Sequence, residues 1–121
     1  MGTFSYPITV RNPETGAGVQ IEALVDTGAT FSIIPEATLR SLGIAPTRAA
    51  AMQLADGSVV QVPLGHAEFQ VNGEASITPC LFGQEGWPTL LGAVTMESLL
   101  LAPDPVNHRF TKVTGWLATG G

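Results

Sequence analysis

The chain has 121 residues, 45% of them hydrophobic and 12% charged, with a net charge of −5. Its basic residues are scattered at Arg11, Arg40, Arg48, Arg109 and Lys112, so there is no basic stripe for a nucleic-acid partner, and runs such as Leu99-Leu100-Leu101-Ala102 are too short for a membrane-spanning helix. That length suits one domain over residues 1–121, and so few charges fit either a compact β protein or an apolar surface covered by a second subunit.

The first residues carry no positive segment and no secretory core, which predicts a soluble, cytoplasmic protein. Phe4, Tyr6, Ile8 and Val10 alternate with smaller or polar residues, the pattern of a half-buried strand. Asn12-Pro13-Glu14-Thr15-Gly16 is turn chemistry, and Val19, Ile21, Ala23 and Val25 alternate again, so the first two strands form a hairpin. Its second arm runs through Ala23-Leu24-Val25 into Asp26-Thr27-Gly28-Ala29-Thr30, a buried strand delivering a carboxylate to the point where it ends.

Pro35, Glu36, Leu39 and Leu42 followed by Gly43 predict a short helix over Pro35 to Leu42. Met52 to Ala55 and Ser58 to Val62 flank Asp56-Gly57, which predicts a two-residue hairpin turn. Ala67, Phe69 and Val71 lead to a second such turn at Asn72-Gly73, with Ala75, Ile77 and Leu81 beyond it. Gln84 to Pro88 reads as a loop and Leu90-Leu91-Gly92 as a short buried strand. A second helix is expected over Val94 to Leu101, with Glu97 near its start and Pro103-Asp104-Pro105 after it. Phe110, Val113 and Trp116 are placed on a last strand, and Gly120-Gly121 is expected to fray.

Asp-Thr-Gly at a strand end has a chemical meaning. Water attacks a peptide carbonyl when a base takes its proton and an acid polarises the carbonyl oxygen. Two carboxylates sharing one proton serve both roles, because like charges held close cannot both ionise, and the pair titrates jointly. Gly28 lets the backbone turn its N–H toward the carboxylate, Thr27 offers a hydroxyl to brace a facing loop, and the Asp56-Gly57 hairpin is the candidate flap over the site.

Leu24-Val25-Asp26-Thr27-Gly28-Ala29-Thr30 resembles the active-site motif of retroviral-type (retropepsin-like) aspartic proteases, and Leu90-Leu91-Gly92 resembles their second signature. The order of catalytic hairpin, connector, flap hairpin, second signature, helix and final strand matches over about Ser5 to Val113. The resemblance implies a mostly β, closed barrel-like acid protease fold with a flap hairpin and one or two short helices, in its single-domain bacterial or cellular branch. It implies an aspartic endopeptidase active as a homodimer on an extended polypeptide, with no cofactor and no metal. Carried onto this chain, Asp26 is catalytic, Thr27 and Gly28 support the active-site loop, and Ala29, Thr30, Leu54, Ala55, Asp56, Gly57 and Ser58 contact substrate. A second copy is also required by counting, since neither Asp56 nor Asp104 precedes Thr-Gly or Ser-Gly.

Two departures stand out. Many retroviral enzymes pair an aspartate and an arginine at the positions held here by Thr30 and Ala93; both charges are missing together, so neither is stranded. Pepsin-like relatives carry serine where this chain has Ala29, and losing that donor to the charged pair predicts an activity optimum less acidic than theirs.

Blander readings stand beside these. Asp-Thr-Gly alone is ordinary turn chemistry, and retropepsin-like folds also serve as dimerisation or peptide-binding modules without proteolysis. His66 and Glu68 share a strand face, but with His108 and Cys80 they lack metal-ligand spacing. Cys80 reads as a small buried hydrophobe, and Trp87 as lining the cleft or the dimer edge, or as a core or loop anchor.

Overall fold

The first two strands set the frame, and their apolar alternation decides which face turns inward. In the computed structural model, which describes residues Thr3 to Ala118, β1 (Phe4–Arg11) pairs antiparallel with β2 (Gly18–Val25), Phe4 opposite Val25 and Arg11 opposite Gly18. Phe4, Ile8, Val10, Ala23 and Val25 are buried, Tyr6 and Ile21 are half-buried, and Val19 faces out near the turn. The expected fraying at Gly120-Gly121 lies outside the described residues.

The turn after β1 is pinned by Asn12. Its backbone N–H donates to the Ala17 carbonyl at 2.7 Å and its carbonyl accepts from Gly16 N–H at 2.8 Å. Its buried side-chain amide donates to the Leu42 carbonyl at 2.9 Å, while its Oδ1 accepts from Glu14 N–H at 2.9 Å. Leu42 closes α1 (Glu36–Ser41), so one side chain ties the first hairpin to a helix end that would otherwise leave carbonyls unpartnered.

That helix is shorter than the Pro35 to Leu42 expected. Pro35 ends β3 (Ser32–Pro35) with extended backbone and serves as the N-cap, and Leu42 is the C-cap. Gly43 at φ +79 supplies the left-handed stop, with its N–H on the Arg40 carbonyl.

β4 (Arg48–Gln53) and β5 (Val59–Val71) form the flap hairpin, joined by Leu54 to Ser58. Asp56-Gly57 is not a two-residue turn. Gly57 N–H donates to the Leu54 carbonyl at 2.9 Å, Leu54 N–H to the Ser58 carbonyl at 2.8 Å, and within this loop positive φ is confined to Gly57, so pairing resumes at Gln53 and Val59. A two-residue type I′ turn needs positive φ at both central residues, and Asn72 (φ +54) and Gly73 (φ +85) provide it between β5 and β6 (Glu74–Gly83). Along β6, Ala75 and Ile77 face outward, whereas Thr78, Cys80 and Phe82 are buried.

β7 (Leu90–Leu91) is the expected short buried strand, one residue shorter than Leu90-Leu91-Gly92 because Gly92 is the N-cap of the helix that follows. α2 (Ala93–Leu99) begins and ends earlier than Val94 to Leu101, which puts Glu97 in its second half. Leu100 adopts φ +56 to reverse the chain into β8 (Leu101–Asp104), so Pro103 and Asp104 belong to a strand paired with β9 (Arg109–Lys112). Val113 follows β9, with its N–H on the Leu100 carbonyl, and Trp116 lies beyond it, fully exposed.

The large sheet has seven strands in the order β1-β2-β7-β3-β6-β5-β4, and a further β1–β5 pairing at Thr9 to Arg11 bends it closed into a barrel-like ring. β4 stays outside the ring as the arm of the flap. The fold is mostly β, as expected. The main core packs Ile8, Val10, Val25, Ile34, Phe69, Val71, Phe82 and Leu91 against Leu39 of α1 and Met96 and Leu99 of α2. A second cluster, Ala50, Val62, Leu64 and Leu81 with Phe31, Ile33, Met52, Val60 and Trp87 against it, roots the flap.

Replacing Asn12 strands the Leu42 carbonyl in a buried position. Asn12→Ala is expected to lower unfolding free energy by about 1–3 kcal/mol, measured by urea denaturation.

Candidate active site

The topology makes the Asp26 loop cross the end of β7. β7 pairs in parallel with β2 (Leu24 opposite Leu90, Val25 opposite Leu91) and antiparallel with β3 (Ile33 opposite Leu90), so it lies between the strand that enters the loop and the strand that leaves it. Asp26 N–H donates to the Leu91 carbonyl at 3.1 Å, which continues the β2–β7 ladder to the acid itself.

Past Asp26 the chain turns sharply. Gly28 N–H donates to Asp26 Oδ1 at 2.9 Å, and Ala29 N–H donates to the Asp26 carbonyl at 3.2 Å. A β-carbon on Gly28 would stand 3.2 Å from Oδ1, crowding the carboxylate. Asp26 is half-buried, and Thr27 and Gly28 are exposed beside it.

The loop then caps α2. Ala93 N–H donates to the Ala29 carbonyl at 2.8 Å, Val94 N–H to the Thr30 carbonyl at 3.0 Å, and Gly92 N–H to Ser32 Oγ at 3.0 Å. These are three of the four donors at the helix start that have no partner within the helix, and the N-cap Gly92 has no side chain to offer them. The main chain at Ala29 and Thr30 thus joins the loop to the start of α2. A β-carbon on Gly92 would lie 2.6 Å from both the carbonyl carbon and oxygen of Phe31 and 2.9 Å from Ser32 N, all backbone atoms. The second signature needs glycine because the loop passes where a side chain would be.

Sequence reasoning missed Ser32, Thr78 and Thr95, whose hydroxyls are buried together behind this junction. Small polar residues in apolar strands and helices are the only sequence trace of such a cluster.

The flap residues divide. Leu54 joins Ile33, Met52, Gln53, Leu81, Trp87 and Pro88 around a cavity of about 300 Å³ between flap and barrel. Ala55, Asp56, Gly57 and Ser58 form the exposed tip and do not line it, nor do Ala29 and Thr30. Trp87 packs on the second cluster, as a core anchor does, and also lines this cavity.

The other two aspartates are committed elsewhere. Asp56 Oδ1 accepts from Ser58 Oγ at 2.6 Å and Ser58 N–H at 2.9 Å, which holds its carboxyl below the ordinary value. Asp104 accepts from the Asn107 side chain at 2.8 Å, with further backbone donors and Arg109 beside it, and is likewise lowered. Burial pushes the Cys80 thiol up to about 12, which keeps it protonated and inert as a nucleophile.

Gly92→Ala is expected to destabilise the protein by about 3 kcal/mol or more, read from thermal and urea unfolding, since backbone rather than a flexible side chain must move. Asp56 has a depressed pKa, so its contribution to tip order is present at neutral pH and is lost as pH falls through the folded value. The Ser58 amide resonance should therefore titrate with a midpoint below 3.8, and Asp56→Asn should abolish that titration.

The family model described as "gag-polyprotein putative aspartyl protease" matches residues 15–97. No curated protein matches the sequence. Among solved structures, the EIAV protease complexed with the inhibitor HBY-793 superposes with a TM-score of 0.62 at 17% identity, covering 79% of this chain and 86% of that one. The solution structure of the simian foamy virus (mac) protease gives a TM-score of 0.54 at 22% identity, covering 81% and 99%. Both likenesses are of fold. With the family model matching well over half of its length, the chain belongs to the gag-polyprotein aspartyl protease family and has the retropepsin-like fold.

Proposed function

We propose that this chain is an aspartic endopeptidase that works as a homodimer, one domain over residues 1–121 contributing one half-site. The observation that carries this reading is the Asp26 turn, with Gly28 N–H on the carboxylate and the loop locked onto Leu91 and Gly92. A strand-end carboxylate held this firmly suits chemistry in which its position matters.

In the dimer, Asp26 and its counterpart share one proton. The ionised carboxylate takes a proton from water as that water attacks the peptide carbonyl carbon, and the protonated one gives its proton to the carbonyl oxygen. The tetrahedral diol then collapses: the carboxyl that took the water proton gives it to the nitrogen, the C–N bond breaks, and the other carboxylate takes a proton from one diol hydroxyl as the C=O re-forms, which leaves the pair singly protonated. Thr27 braces the two loops against each other, and the flap from Leu54 to Ser58 covers an extended polypeptide held as an added strand. Leu54 and the apolar cavity beneath it receive a substrate side chain. The exposed Leu100, Val113, Trp116 and Leu117 supply apolar area for the partner copy, and Ala29 favours a less acidic optimum than a pepsin-like enzyme's.

The test is cleavage of a denatured protein, with and without pepstatin, by wild type and Asp26→Asn, alongside sedimentation. Wild type should cut and be inhibited; Asp26→Asn should lose about 10³-fold or more in rate yet sediment as a dimer. Cutting by Asp26→Asn would overturn the mechanism. Wild type that binds extended peptides without cutting them would instead mark a binding module.

A further inference from the structure

Three hydroxyl side chains from three elements meet behind the Asp26 loop. Ser32 of β3 and Thr95 of α2 are 0% exposed and Thr78 of β6 is 2% exposed. Ser32 Oγ lies 2.7 Å from Thr95 Oγ1, and Thr95 Oγ1 lies 2.9 Å from Thr78 Oγ1. Ser32 Oγ also accepts the Gly92 N–H at 3.0 Å. Thr95 touches both other hydroxyls and is the junction of the chain.

Stability alone does not account for this cluster. Burying a hydroxyl has a cost that its hydrogen bonds roughly offset, and apolar groups of the same shape often serve as well. What hydroxyls add is direction. The Ala29 and Thr30 carbonyls and Ser32 Oγ hold the loop on the first N–H groups of α2, and Thr95 holds that helix on Thr78. Thr78 pairs with Ala67 of β5, the strand whose other end forms the flap. Loop, helix and flap strand thereby share one reference point.

We propose that Thr95 is a positioning residue for Asp26: through Ser32 and Gly92 it sets how the loop sits on α2, and so where the carboxylate meets its counterpart. This rests on reading Asp26 as half of a catalytic pair. Displacing a reacting group by about 1 Å can cost about 100-fold in rate, so a small shift is enough to register.

The experiment compares Thr95→Val, Thr95→Ser, Ser32→Ala and the Ser32→Ala/Thr95→Val double variant, by steady-state kinetics per dimer and by amide hydrogen exchange. Thr95→Val should lower kcat about 10- to 100-fold with KM within about twofold, and Thr95→Ser should recover to within about threefold of wild type. The double variant should fall no further than the worse single one, because both cut the same chain. The Ala93 and Val94 amides should exchange at least about tenfold faster in Thr95→Val but not in Thr95→Ser, with Ile8 and Val10 of β1 unchanged. Wild-type kcat with wild-type Ala93 and Val94 protection in Thr95→Val overturns the proposal. Equal loss of protection at β1 also overturns it, because that marks global destabilisation. If Thr95→Val does not fold, Ser32→Ala carries the same expectations. If wild type cleaves nothing, the reading as a protease fails, and the exchange measurements still decide the positioning role.

Discussion

The first N–H groups of α2 have no partners of their own, and the architecture of the site follows from how they are satisfied. With Gly92 as its N-cap the helix has no side-chain cap, so its amides turn to the neighbouring stretch of chain, which offers the carbonyls of Ala29 and Thr30 in the loop and the hydroxyl of Ser32 at the start of β3. The loop reaches them because β7 sits between β2 and β3 and forces the chain to pass over its end. Gly92 leaves the space for that passage. Asp26 is therefore fixed from both directions, by the strand ladder before it and by the helix end after it.

This arrangement joins the loop to α2 without any charged side chain at Thr30 or Ala93. Thr30 and Ala93 hold no ion pair, yet the segments they belong to are joined by two short main-chain bonds. Backbone bonds do not depend on side-chain identity. They hold the loop on α2 whatever side chains stand at positions 30 and 93.

Much of this was legible in the sequence, because strong local signals agreed with one another. Alternation marked β1 and β2, Asn72-Gly73 marked a tight hairpin, and Asp26-Thr27-Gly28 with Leu90-Leu91-Gly92 marked the two halves of the loop junction. The signals failed where a residue's partner is distant in the chain. Asn12 read as a turn residue because nothing local reveals that it reaches Leu42. Ser32, Thr78 and Thr95 are unremarkable letters until three elements bring them together. The outward face of Ala75 and Ile77 was hidden because alternation gives a period but not which phase the core takes. Leu100 carried no sign of its left-handed backbone, since leucine normally continues a helix.

β5 runs unbroken through both apolar clusters, with Val62 and Leu64 in the one that roots the flap and Ala67, Phe69 and Val71 in the main core. At Leu64 it pairs with Arg48 of the flap arm and with Leu81 of the ring, and at Gly65 the Phe82 ring presses so close that a β-carbon would lie 2.9 Å from it. The flap arm from Val59 to Leu64 and the ring segment from Gly65 to Val71 are thus two halves of one strand, divided where Phe82 closes on Gly65.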